Sequence, residues 1–243
     1  MSNEPFLLEV DGYCPVCEQN SRFRSTDAWL RHGLICPSCP GGSVPRERAL
    51  ALVLRELRPN WKAERIHESS PGERGISVVL KRDCPLYVGS HFYPDRPPGS
   101  MVGEWRVENL EAMTFADGSF DIVVTQDVME HVFHPDRVFS EVHRTLDKGG
   151  LFLSTFPIQR SLIPATTTRA TLASDGTIRH LLEPEYHGNP IDSSGSLVTI
   201  DYGYDIHERI PTWADFDVRI YRFNDRRYGI LGRYTEVVAC WKR

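Results

Sequence analysis

The sequence contains no apolar run near the ~20 residues that a membrane-spanning helix requires. Its opening, Met1-Ser2-Asn3-Glu4-Pro5, lacks the basic start and apolar stretch of a secretory leader. A cytoplasmic protein with no membrane partner is the expectation. Excess positive charge is missing as well: 28 Lys and Arg against 33 Asp and Glu leave a formal charge of −5, so no global field draws the chain onto a phosphate backbone or an anionic bilayer. That weighs against nucleic acid as a partner without removing it. Cysteine is sparse, with six in 243 residues, and in a reducing compartment paired thiols more often hold metal than form disulfides. What is plentiful is ordinary core material, 40% apolar and 25% charged residues. This is enough for one α/β domain with a small appendage.

The few cysteines are not scattered. Cys14-Pro15-Val16-Cys17 and Cys36-Pro37-Ser38-Cys39 are two matched Cys-x-x-Cys units separated by eighteen residues. A two-residue gap lets both thiolates of one unit reach a single ion, and two units complete a tetrahedral sulfur shell that suits zinc. Residues 1–45 are therefore read as a zinc-ribbon-like module holding one structural zinc through Cys14, Cys17, Cys36 and Cys39. Disulfides, unmetallated buried thiols and redox catalysis are the competing readings, and His32 is a competing ligand. Such a shell is closed, so the module is structural or substrate-facing rather than catalytic. Cys84 and Cys240 stand alone and read as small core residues.

From residue 46 the pattern changes. Ala49, Leu50, Leu52, Val53, Leu54 and Leu57 recur with helical spacing until Pro59-Asn60. Short extended runs follow at 65–68, 85–90, 105–110, 120–125 and 151–156, with helical or turn-rich segments between them, which argues for a parallel sheet covered on both faces. The clearest unit is the strand at 120–125, a helix opened by Pro135 with Val138, Phe139, Val142 and Leu146 on one face, a stop at Gly149-Gly150, and the strand at 151–156. Residues 158–212, rich in Pro, Gly, Ser, Thr, His and Tyr, break the rhythm and read as a substrate-facing insertion. Two final extended runs, 216–223 and 234–241, form an antiparallel hairpin at the sheet edge.

The stretch from Leu110 through Phe115-Ala116-Asp117-Gly118-Ser119-Phe120-Asp121 and Asp127-Val128-Met129-Glu130-His131-Val132 to Lys148-Gly149-Gly150 resembles class I methyltransferases of the methyltransferase-11 type. The resemblance implies a Rossmann-like α/β fold over residues 46–243. It also implies a mostly parallel seven-stranded sheet with helices on both faces, and S-adenosylmethionine lying across the carboxyl ends of its first strands. Open parallel sheets do bind ligands there. On this resemblance the donor would touch Glu68, Ser70, Pro71, Gly72 and Gly75 after the first strand, Ser90 and Phe92 after the second, Asn109 and Leu110 after the third, and Gln126, Asp127 and Val128 after the fourth. The family's turn reads acid, then Gly-x-Gly; here Ser70 replaces one glycine, so room for the nucleoside at this turn is the critical question.

Methyl transfer is an in-line displacement at a sulfonium, in which the protein aligns the nucleophile and a base removes a proton from a hydroxyl acceptor. His131 beside Glu130, and Tyr186 and His187 in the insertion, are the candidate catalytic residues. A histidine that fastens the next helix and a hydrogen-bonded turn are their structural alternatives. The acidic charge and aromatic insertion favour a small polar acceptor such as a sugar or other metabolite. Two rivals stand beside this: a ribosomal RNA methyltransferase gripping RNA with the zinc module, whose basic footprint is only Arg22, Arg24 and Arg31, and a non-catalytic module for protein contacts.

Overall fold

The computed structural model describes residues 6–158, 163–188 and 195–243. The cysteine segment forms a hairpin of β1 (Leu8–Cys14) and β2 (Gln19–Ser25), followed by one helical turn at Leu30–Gly33. Helix α1 (Pro45–Leu57) begins with proline at its first turn, where no amide donor is needed, and buries Ala49, Leu50, Val53 and Leu54.

The main sheet has eight strands: β3 (Ile66–Ser69), β4 (Tyr87–His91), β5 (Met101–Val102), β6 (Trp105–Val107), β7 (Phe120–Gln126), β8 (Leu146–Thr155), β9 (Phe216–Tyr221) and β10 (Val237–Lys242). Their spatial order is β9-β10-β8-β7-β3-β4-β6-β5. Strands β6, β4, β3, β7 and β8 run parallel, and β10 enters antiparallel between β8 and β9. Helices α2 (Gly75–Asp83), α3 (Pro135–Thr145) and α4 (Ile206–Trp213) complete the frame. The sheet thus has the expected mostly parallel α/β form, with one strand more than the seven expected. The extra strand, β5, is a two-residue antiparallel edge piece paired with β6.

Several strand ends shift by one to three residues from the sequence reading, and two differences have a physical reason. Helix α3 ends at Thr145, and the chain turns extended at Leu146. Gly149-Gly150 sits inside β8, where residues 147–150 loop out between the pairs Phe120–Leu146 and Ile122–Leu151. The glycines therefore serve a bulge rather than a helix stop. The run at 105–110 is extended only to Val107, because Asn109 accepts the Glu111 N–H at 2.9 Å and closes a turn.

Among the described residues, 158–212 is not an open loop. Short antiparallel ladders pair Thr167–Thr168 with Ile200–Asp201, Ala170–Leu172 with Ile178–His180, and Tyr186–His187 with Ser196–Leu197. One apolar core lies between the sheet and α3, α4, Ile158, Ile200 and Tyr202. The other, on the opposite face, joins α1, α2 and the sheet to Val10, Val16, Phe23, Leu34 and the cysteines of the N-terminal segment. The Arg48 guanidinium is buried in this second core, donating to the carbonyls of Ser43, Leu34 (2.9 Å) and Gly229 (2.7 Å).

Candidate functional site

A cleft of about 940 Å³ opens over the carboxyl ends of the parallel strands, lined by Ser69 at the end of β3, His91 at the end of β4, Glu108 after β6, Gln126 at the end of β7 and Pro157 after β8. This is where the crossing of a parallel sheet leaves room for a ligand. Its floor is the turn between β3 and α2. Ser70, which stands for a glycine, adopts φ 55°, the left-handed conformation a glycine would take easily. Gly72 faces open space: a Cβ built there meets nothing within 4 Å. The replaced glycine has therefore not plugged the turn.

Of the donor-site residues expected from the sequence, Ser70, Gly72, Phe92, Asn109, Leu110, Gln126, Asp127 and Val128 line the cleft. The others stand behind its walls for identifiable reasons. Glu68 is fully buried and accepts hydrogen bonds from Ser77 (2.6 Å), Tyr87 (2.9 Å) and Gln126 (3.0 Å). Burial raises its carboxyl pKa, and the three donors act against that rise. It holds the wall residues Ser77 and Gln126 rather than facing a ligand itself. Ser90 is turned inward to His67 Nε2 at 2.8 Å, and Pro71 is buried outside the lining. Gly75, at φ 57°, lies against α1, where a Cβ would come within 2.1 Å of the Glu47 carboxylate. Its N–H donates to Pro40 of the cysteine segment at 3.0 Å.

The wall opposite β4 comes from the N-terminal segment, which sequence reasoning had not placed here. Trp29, Arg31 and His32, together with Arg46, Glu47 and Arg74, line the same cleft. Asp127, at φ 53°, is the anchor between the two parts. Its carboxylate accepts from Arg31 at 2.5 and 2.9 Å and pairs with Arg46 at 2.8 Å. Burial pushes its pKa up, but the two guanidiniums outweigh it and hold the acid well below the usual carboxylate range. The side chain of Asp127 is therefore committed to these two arginines, leaving its backbone to the cleft. Burial and then the neighbouring arginines hold His32 at about 4, so it is neutral near pH 7. No local pattern in the sequence announces this cluster, since Arg31 and Asp127 lie 96 residues apart.

The candidate catalytic residues separate. His131 and His187 line the cleft, whereas Tyr186, the residue before, points out of it and is 56% exposed. Successive side chains of a strand face opposite sides, so only one of the pair could enter. The imidazoles of His131 and His187 meet edge to face, with centroids 5.2 Å apart. Beneath them lies the buried Glu130. Thr199 N–H donates to the Glu130 carbonyl at 2.8 Å and Tyr202 OH to that of Met129 at 3.0 Å, so the insertion is fastened to the turn that carries His131.

The four N-terminal cysteines converge. Cys14 and Cys39 Sγ are 3.5 Å apart, Cys17 and Cys36 Sγ 3.9 Å, and all four lie within 4.8 Å of one another. Zinc–sulfur bonds of ~2.3 Å in a tetrahedron place sulfurs about 3.8 Å apart, so the donor set fits a single zinc ion, and none of the six cysteines is in a disulfide. The three arginines of the segment's basic footprint are each paired with a carboxylate: Arg22 with Asp11, Arg24 with Glu9 and Arg31 with Asp127. No helix among the described residues is long and apolar enough to cross a membrane.

The family model of the methyltransferase domain called Methyltransf_11 matches residues 90–154. No curated protein matches the chain. Among solved structures, an S-adenosylmethionine dependent methyltransferase from Mesorhizobium loti superposes with a TM-score of 0.51 at 14% identity, covering 80% of this chain and 98% of its own. The PH0226 protein from Pyrococcus horikoshii OT3 gives 0.52 at 18% identity, with 82% and 90% covered. At such identities the likeness is one of architecture: this chain has the mostly parallel, Rossmann-like α/β fold of these structures.

Proposed function

We propose that the chain is an S-adenosylmethionine-dependent methyltransferase acting on a small polar acceptor, such as a sugar or other metabolite, with one structural zinc in its N-terminal segment. The observation that carries this reading is the open floor of the cleft, where Ser70 keeps a glycine-like conformation and Gly72 presents bare backbone. Bound there, the donor would supply an activated methyl on a positively charged sulfur. Ser70, Gly72 and Gln126 would flank it, Phe92, Asn109 and Leu110 would cover the nucleoside end, and Val128 with the Asp127 backbone would meet the amino-acid end. Arg46 and Arg74 line the same cleft, already paired with Asp127 and Glu47. His131 and His187 lie on the insertion side, where they can orient an acceptor hydroxyl and take up its proton.

The carboxylate pairing of Arg22, Arg24 and Arg31 supports a small acceptor over RNA, because guanidiniums already neutralised release few counterions on binding a phosphate chain. Calorimetric titration of the zinc-loaded chain with S-adenosylmethionine and S-adenosylhomocysteine tests the donor assignment. Micromolar binding of both is the expected result. Absence of heat and of competition at millimolar concentration would remove the enzyme reading and leave a module for protein contacts.

A further inference from the structure

Glu130 is 2% exposed, and neither of its carboxylate oxygens has a hydrogen-bond partner among the described residues. A carboxylate placed so is costly unless something of opposite charge meets it. What faces it is a pair of imidazoles: His187 Nδ1 lies 3.8 Å and His131 Nε2 4.0 Å from Oε1, too far for a hydrogen bond in either case. One ligand atom from each of the three residues falls within 4.8 Å of the others. We propose that Glu130, His131 and His187 hold a divalent transition-metal cation on the acceptor side of the cleft, separate from the cysteine-bound zinc.

Three observations support coordination over a simple polar cluster. First, His131 Nδ1 is 2.8 Å from the Leu197 carbonyl. A carbonyl only accepts, so Nδ1 carries a proton and Nε2 is the nitrogen turned toward Glu130. This backbone anchoring of the distal nitrogen is the arrangement that orients metal-bound histidines. Second, ligand bonds of about 2.1 Å would bring donor atoms to roughly 3.0–3.4 Å from each other. From 3.8 and 4.0 Å, the two histidine nitrogens would each have to move toward the Glu130 carboxylate by roughly half an ångström to one ångström. Third, the ligands come from one side only, and His131 and His187 both line the cleft, so two His and one carboxylate leave positions open to it. Nitrogen and oxygen ligands with open positions suit first-row divalent ions rather than calcium.

Resting on the methyltransferase reading, the site also defines the acceptor as a molecule presenting a hydroxyl. With the cation bound, both histidines would be ligands in place of the base role given above, and a hydroxyl held there would lose its proton to solvent near neutral pH. The alkoxide oxygen would then form its bond to the donor methyl as the carbon–sulfur bond breaks, the pair staying on sulfur to give the neutral thioether. His187 arrives from the insertion, so the cation would also pin that segment over the cleft.

The test is a titration of the zinc-loaded full chain with Co²⁺, followed by its visible d–d absorption, in the wild type and in the variants Glu130→Gln and His187→Ala. One equivalent should bind the wild type, and each variant should weaken binding at least tenfold. Retention of the cysteine-bound zinc verifies that the variants fold. Absence of cobalt absorption in the wild type, or equal binding in all three, overturns the site. S-adenosylmethionine affinity of the wild type is measured alongside. Donor binding without variant-sensitive cobalt binding leaves the methyltransferase reading intact and ends this one. Variant-sensitive cobalt binding without donor binding does the reverse.

Discussion

At the scale of single residues, Asp127 and His67 make contrasting statements about burial. Asp127 is ionised because two guanidiniums meet it, and its removal leaves both positive charges in the interior. Asp127→Ala should cost about 3–5 kcal/mol, the range for breaking a buried ion pair on one side, read as a lowered midpoint in urea unfolding. His67 is the opposite case, a neutral group packed between Phe115 and Phe120, with ring centroids 4.9 and 5.2 Å away. Burial holds it at about 3 against an ordinary 6.5. The unfolded chain therefore takes up a proton that the folded one refuses, so this contribution to stability is present above pH 6.5 and is lost as pH falls toward 3. Within that window the folding free energy should drop by roughly 1.4 kcal/mol per pH unit from this histidine. A His67→Asn variant, unfolded in urea at a series of pH values, should show a slope shallower by that amount. Neither role was visible in the sequence. Asp127 was marked for the cleft by its place after the fourth strand, but its arginine partners are set by distant packing, and nothing local distinguishes a buried neutral histidine from a ligand.

At the scale of elements, the turn from β3 to α2 decides whether a donor fits. Gly72 has open space before it, so Gly72→Val should leave the thermal midpoint nearly unchanged while weakening S-adenosylmethionine binding at least tenfold, both measurable on one purified sample. Gly75 is its counterpart, closed against Glu47. The sequence marked both as backbone for close approach, and only the position of α1 tells them apart. Strand β7 and the second half of β8 were legible because a parallel strand buried on both faces reads as a dense apolar run, whereas β3 and β4, Ile66-His67-Glu68-Ser69 and Tyr87-Val88-Gly89-Ser90-His91, were read only from the alternation of extended and turn-rich segments. The insertion was legible only as a break in that rhythm. Its ladders are two or three residues long, below the length at which alternation of side chains gives a signal.

At the scale of the whole molecule, the N-terminal segment and the sheet share one apolar core. Cys14, Cys36 and Cys39 are in contact with that core alongside Leu50, Ile122 and Val237. Zinc at the cysteines would therefore support the main domain as well as the hairpin that carries it. Cys36→Ser should reduce bound zinc by one equivalent per chain, measured by metal analysis, and lower the thermal midpoint of the whole protein in a single transition. A separate low-temperature transition for residues 1–45 would show that the two parts melt independently. The paired Cys-x-x-Cys units made the convergence of the four cysteines readable at once, because that spacing is local. That the same segment walls the cleft was not readable, because it depends on Arg31 reaching Asp127 across the chain.

The Arg31 guanidinium also donates to the carbonyl of Tyr234 at 3.0 Å where both line the cleft, and the buried Arg48 reaches Gly229, so early and late stretches of the sequence brace each other. During synthesis the first of these partners waits for some two hundred later residues before its own contacts exist. A nascent chain would bring its four cysteines together early and gain a finished cleft only when that later stretch emerges from the ribosome.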